Sequence, residues 1–189
     1  MKKKYVWIII ISVILLISIA TIVVINDKTI MFSSNMKGNV EKFWKDKVVI
    51  KEVKNIEIDG KKFRLILSTP INNKKYKYFN CYEEKLNGLY YKSYQASAQG
   101  GSNALFNFTT MSIREGKGVE REKDITIVYG YNEDLLLDNY ALKISGDNNN
   151  IITSLSNKEY VINVFKGPLK EIVNAKGKDG SDLIKAFCD

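Results

Sequence analysis

The sequence has no histidine in its 189 residues. That removes His-based general acid–base catalysis, Ser-His-Asp and Cys-His nucleophile activation, and the great majority of catalytic zinc sites. Only two prolines and two cysteines occur, and no stretch beyond the N-terminus carries a long amphipathic helical pattern. Acidic residues are in the minority: 29 Lys and Arg against 21 Asp and Glu give a formal charge of +8. Setting aside Lys2, Lys3 and Lys4 leaves +5, spread along the chain. A diffuse excess of this size suits anionic surroundings such as phospholipid headgroups or acidic wall polymers. It is not the concentrated basic face that nucleic-acid binding requires.

What is present begins with MKKKYVWIIIISVILLISIATIVVINDK. Tyr5–Ile25 is uncharged and dominated by Ile, Val and Leu. As a helix it would span about 32 Å, close to the ~30 Å hydrocarbon core of a bilayer. Tyr5 and Trp7 lie at the lysine-flanked end, where amphipathic rings favour the headgroup level. Ser18-Ile19-Ala20 supplies small residues for a cleavage site, but the apolar run continues through it as TIVVI, longer than a cleavable signal needs. The expectation is a signal anchor, with residues 1–4 cytoplasmic, 5–25 transmembrane and the C-terminal part outside the cell membrane. No cysteine precedes Cys81, which excludes a lipid-modified N-terminal cysteine.

Residues 26–46 read as a tether with a short helix in VEKFW. From 47 to 189 the texture is β: short runs of Val, Ile, Tyr, Phe and Thr between turn dipeptides. Asp59-Gly60 and Asn87-Gly88 predict two-residue hairpins, because their central residues tolerate positive φ. Further strands are expected in 104–113, 125–130, 140–145, 151–156, 159–165 and 171–175, with DLIKAF as a closing strand. The fold class expected is all-β, an antiparallel β-sandwich of about 8–10 short strands, Ig-like or related, following one N-terminal transmembrane helix.

Four constellations bear on chemistry. A two-residue Asn87-Gly88 turn places Leu86 opposite Leu89, Glu84 opposite Tyr91, Glu83 opposite Lys92 and Cys81 opposite Tyr94. Tyr76, Tyr78, Tyr82 and Tyr91 then share one sheet face, a candidate aromatic contact surface for a glycan or protein. Tyrosines also fill half-buried strand faces for purely structural reasons. Cys81 and Cys188 are a candidate disulfide in an oxidising compartment, closing a loop of about a hundred residues; two unrelated thiols are the plain alternative. Ser34-Asn35-Met36-Lys37 matches S-x-x-K, but the S-D-N and K-T-G companions of that chemistry are absent. The segment 174–180 lacks the oxygen-ligand spacing of a calcium loop, and 147–150 could offer oxygens but is explained as a polar hairpin turn. No catalytic, cofactor-binding or metal-ligating residue is assigned.

The C-terminal half, IVYGYNEDLLLDNYALKISGDNNN followed by KEYVINVF and KEIVNAKGKDGSDLI, resembles the ending of small single-pass, membrane-anchored β-sandwich proteins of Gram-positive bacteria. The resemblance implies an extracytoplasmic address and a β fold, and carries no catalytic residue with it. The function expected is that of a non-enzymatic interaction module at the envelope, binding an envelope protein or an anionic wall polymer. Two alternatives stand beside it. One is an envelope glycan-acting enzyme using paired carboxylates, drawn from Glu83, Glu84 and Glu115; the other is an accessory subunit of a membrane complex.

Overall fold

The computed structural model of the chain describes residues 2–26, 30–73, 76–86, 88–99, 106–114, 122–155 and 157–187. The side chains of 2–4, 20–26, 30, 92–99, 108, 113–114, 122–123 and 186 lie outside that description. The described strands form three antiparallel sheets. In the first, β1 (Ile30–Phe32), β2 (Val48–Ile58), β3 (Lys61–Pro70), β4 (Tyr76–Leu86) and β5 (Leu89–Gln99) take the order β1-β5-β4-β3-β2. The second joins β6 (Phe106–Arg114), β7 (Glu122–Tyr131) and β10 (Tyr160–Lys166) in the order β10-β7-β6. The third joins β8 (Leu137–Ile144), β9 (Ile151–Ser154) and β11 (Leu169–Gly177) in the order β11-β8-β9.

Side-chain alternation decides how these sheets stack. Ile125, Ile127 and Tyr129 of β7 and Ile162 of β10 meet Phe63, Leu65, Leu67, Phe79 and Cys81 of the first sheet. The intervening Val128 and Val161 face the other way, onto Leu137, Tyr140, Leu142 and Ala175 of the third sheet. Residues 125–130 are therefore buried throughout, which is why ITIVYG holds no charged residue, and the Thr126 hydroxyl inside it is satisfied by donating to the Gly167 carbonyl at 2.8 Å. The expected sandwich-like packing of antiparallel sheets is present, with a third sheet stacked on it.

The Asp59-Gly60 turn forms as its residues predict. Asp59 has φ 51° and Gly60 φ 74°, and Ile58 pairs directly with Lys61. A different constraint acts at Gly167, between β10 and β11. Its φ is +104°, and a Cβ there would lie 2.6 Å from Ile144 Cγ2 and 2.9 Å from the Ser145 carbonyl oxygen.

The N-terminal portion requires a correction. The stretch read as a tether is built into the fold over most of its length. β1 pairs with β5, and α2 (Met36–Trp44) follows a 3-10 turn at Ser33–Asn35. Met31 and Val40 are fully buried against Val48, Ile66, Tyr78, Tyr82 and Tyr90 on the outer face of the first sheet. The short helix expected in VEKFW is present and begins four residues earlier, through Gly38 and Asn39, both poor helix formers in isolation; the apolar face supplied by Met36, Val40 and Trp44 decides the outcome. The closing DLIKAF segment is likewise not a strand. It holds one bridge, Asp182 to Lys176, and a 3-10 turn at Ile184–Ala186.

α1 spans Lys2–Asn26, 25 residues. The large apolar side chains described in it, from Tyr5 to Ile19, are 41–66% exposed. That described stretch covers about 22 Å of helix. Among the described residues, no helix is long and apolar enough to cross a membrane.

Candidate functional site

The β4–β5 hairpin carries the sequence-predicted aromatic face, and two bulges reshape it. Leu86 pairs with Leu89 and Cys81 with Tyr94, as the two-residue turn predicts, but Glu84 pairs with Tyr90 and Glu83 with Tyr91. Lys85 is the extra residue on β4 and Ser93 the extra residue on β5, so the two irregularities cancel beyond Cys81. Between them every predicted partner is displaced by one position. Tyr90 thereby joins Tyr78 and Tyr82 in the buried cluster. Tyr91 leaves them and is 40% exposed.

The four tyrosines do not form an open platform. Tyr82 is fully buried, Tyr78 nearly so and Tyr76 half-buried. The cover is α2. Trp44 stacks on Tyr78 with ring centroids 4.5 Å apart and planes 6° from parallel. Trp44 Nε1 donates to Asn80 Oδ1 at 2.9 Å. Tyr78 donates its hydroxyl to Asp46 Oδ2 at 3.0 Å, and Tyr82 donates to Asn39 Oδ1 at 2.8 Å. Burial pushes the Tyr78 hydroxyl pKa up to about 12, with the Asp46 carboxylate adding to the effect. The Tyr78 and Tyr82 rings, covered by α2, therefore present no open face, while Tyr91 stays exposed.

Cys81 is a buried free thiol. Burial raises its pKa to about 12, reinforced by Glu83, so it is protonated at physiological pH and a poor nucleophile. Cys188 lies outside the described residues. Phe187, which precedes it, packs with Phe106 and Tyr140, whereas Cys81 belongs to the core between the first and second sheets.

Among the suggestive carboxylates, Glu83 and Glu84 are consecutive on β4 and point to opposite faces. Glu83 is ion-paired with Lys85, and Glu84 accepts the Gly88 backbone N–H at 3.0 Å. Glu115 lies outside the described residues. Lys37 of the S-x-x-K match pairs with Glu41 at 3.8 Å, one turn along α2. Asp147 and Asp179 accept the backbone N–H two residues ahead, from Asn149 and Ser181, as Asx turns do.

The first sheet borders two concavities. A groove of about 340 Å³ at the hairpin end of the first sheet is lined by Asn55, Glu57, Lys62, Arg64, Glu84 and Tyr90. Arg64 lies over the Tyr90 ring at 4.4 Å, donates to Asn55 Oδ1 at 2.9 Å and to Ser33 Oγ at 3.2 Å. Its lining offers paired opposite charges and hydrogen-bonding groups. A cleft of about 360 Å³ opens between the first two sheets and is lined by Ile58, Asp59, Asp124, Ile125, Lys166 and Gly167. There Asp124 Oδ1 accepts from Ser112 Oγ at 2.6 Å. Asp59 was legible only as a turn residue, and nothing in the sequence marked Asp124.

Lys77 is the least expected polar residue. It shares a face of β4 with Phe79 and Cys81 and is only 2% exposed. Burial lowers its pKa to about 8, partly offset by the Glu133 carboxylate. Among the described residues, no group of three or more Cys, Asp or Glu side chains could hold a metal ion. No protein-family model, no curated protein and no solved structure matches the chain.

Proposed function

We propose that this chain is a membrane-anchored, extracytoplasmic β-sandwich protein whose role is to bind a partner at the cell envelope rather than to catalyse a reaction. The observation that carries the reading is α1, whose described apolar side chains lie exposed to more than two-fifths of their area. A folded domain that left such a helix in water would carry a very large aggregation-prone surface; hydrocarbon removes that cost. Lys2–Lys4 support an N-terminus retained in the cytoplasm, and thus an exported domain. The proposal extends to an uncleaved transmembrane span over 5–25, an Ig-like relationship of the sheets, and a Gram-positive envelope as the setting.

A non-enzymatic role is favoured by the lack of histidine and by the opposite orientation of Glu83 and Glu84. An envelope protein or an anionic wall polymer is the partner class that the residual positive charge suits. The test is fractionation of expressing cells with alkaline carbonate extraction and N-terminal sequencing. Full-length protein resisting extraction is the expected result. A mature N-terminus at Thr21, or release into the carbonate supernatant, would overturn the anchor.

A further inference from the structure

We infer that the pole of the domain formed by the C-terminal end of α2 and the start of β2 rests on anionic phospholipid headgroups; this depends on the anchoring of α1 proposed above. The argument starts from chain direction. β1 enters opposite Tyr91 and runs toward the β4–β5 turn, with Phe32 opposite Leu89 and the Ser33 N–H on the Gly88 carbonyl. The chain then reverses and α2 runs back. Asn39 is bonded to Tyr82, and Trp44, further along, to Asn80. Trp44 and its successors therefore lie toward the end of the sheet from which β1 arrives. Only residues 27–29 separate Asn26 of α1 from Ile30 of β1, so Ile30 lies within about 15 Å of the end of α1, and the pole is on the side of Ile30 from which the chain arrives.

The chemistry of this pole fits an anionic interface. Residues 37–47 hold four lysines, Lys37, Lys42, Lys45 and Lys47, against two carboxylates. Both carboxylates are engaged. Glu41 accepts from Lys47 and the Val48 N–H, and Asp46 accepts the Tyr78 hydroxyl. Four lysines against two carboxylates give the segment a net charge of +2, with Lys37 and Lys47 both paired to Glu41. Lys42, Lys45 and Lys47 line a shallow depression of about 480 Å³ together with Gly38, Glu41 and Asp46, so its lining carries three cations against two carboxylates. Beside it lies Ile71, whose N–H is bonded to the Lys47 carbonyl and whose side chain is 54% exposed. Lysines flanking an exposed aliphatic side chain match the layered polarity of a headgroup region.

The test uses the full chain in vesicles of neutral phosphatidylcholine or of phosphatidylcholine with about a third phosphatidylglycerol. Acylation of Lys45 and Lys47 by an uncharged amine reagent is followed peptide by peptide, with Lys170 on β11 as the internal reference. Acylation relative to Lys170 should slow about fivefold in the anionic vesicles, and high salt should restore it. Equal rates in the two lipids, with α1 resistant to carbonate, overturn the inference and leave the anchor standing. Release of the chain by carbonate removes both. Protection given by soluble polyglycerol phosphate in neutral vesicles, but not by anionic vesicles, assigns the pole to a wall polymer and likewise overturns the inference.

Discussion

The Tyr82 hydroxyl donates to Asn39 Oδ1 at 2.8 Å, and both residues are buried between α2 and the first sheet. This bond ties a helix read as part of a tether to the central strand of a five-stranded sheet. Tyr82→Phe removes the donor without changing packing volume and leaves a buried oxygen one bond short. It should cost about 1–2 kcal/mol in urea unfolding. Combining it with Asn39→Ala should cost less than the sum of the two single variants. Additive effects would mean the pair is not energetically coupled.

Cys81 should be unreactive in the native protein. Its side chain is fully buried and its thiol pKa is raised to about 12, so thiolate is scarce and access is closed. Native-state labelling with a maleimide should spare Cys81, and denaturation should expose it. Rapid labelling of the Cys81 peptide without unfolding would show that the core between the first two sheets opens readily.

Much of this architecture was legible because it rests on local chemistry. Asp59-Gly60 sets a two-residue hairpin through positive φ, and the β-branched and aromatic residues of ITIVYG mark a strand. The bulges at Lys85 and Ser93 were not legible, since no residue type enforces them. A one-residue slip exchanges the faces of Tyr90 and Tyr91, and so decides which ring is core. Of α2, the VEKFW end was legible and the first turn was not. Its stability comes from packing on tyrosines distant in sequence, not from its own propensities. Lys77 escaped notice because a lysine in a tyrosine-rich strand reads as a solvent-facing residue.

Lys77 gives a signature in pH dependence. Its folded-state pKa is lowered from 10.5 to about 8, chiefly by burial. Between those values the unfolded chain binds more protons, so this group makes stability rise as pH increases from about 8 to 10.5. The full swing is up to roughly 3 kcal/mol, less to the extent that water reaches the ammonium. Cys81 acts in the opposite sense above pH 9, because its pKa is raised. Comparing wild type with Lys77→Met cancels the Cys81 contribution. The variant should be the more stable protein at pH 7, and its advantage should shrink toward pH 10.5. An advantage independent of pH would mean that the gain comes from packing alone.

Gly167 is the position where one methyl group should be most damaging. Its φ of +104° is outside the range that L side chains adopt readily, and the added Cβ would meet Ile144 Cγ2 at 2.6 Å and the Ser145 carbonyl at 2.9 Å. The turn is also held by its own hydrogen bonds, from the Gly167 N–H to the Asp124 carbonyl and from Thr126 Oγ1 to the Gly167 carbonyl. Moving it to relieve the clash would therefore strain the junction between the second and third sheets. Gly167→Ala should lower stability by about 2–3 kcal/mol, combining backbone strain with the close contact. Adding Ile144→Ala should recover only part of the loss, since the Ser145 carbonyl and the positive φ remain. Full recovery in the double variant would place the whole penalty on the Ile144 side chain and remove the backbone from the explanation.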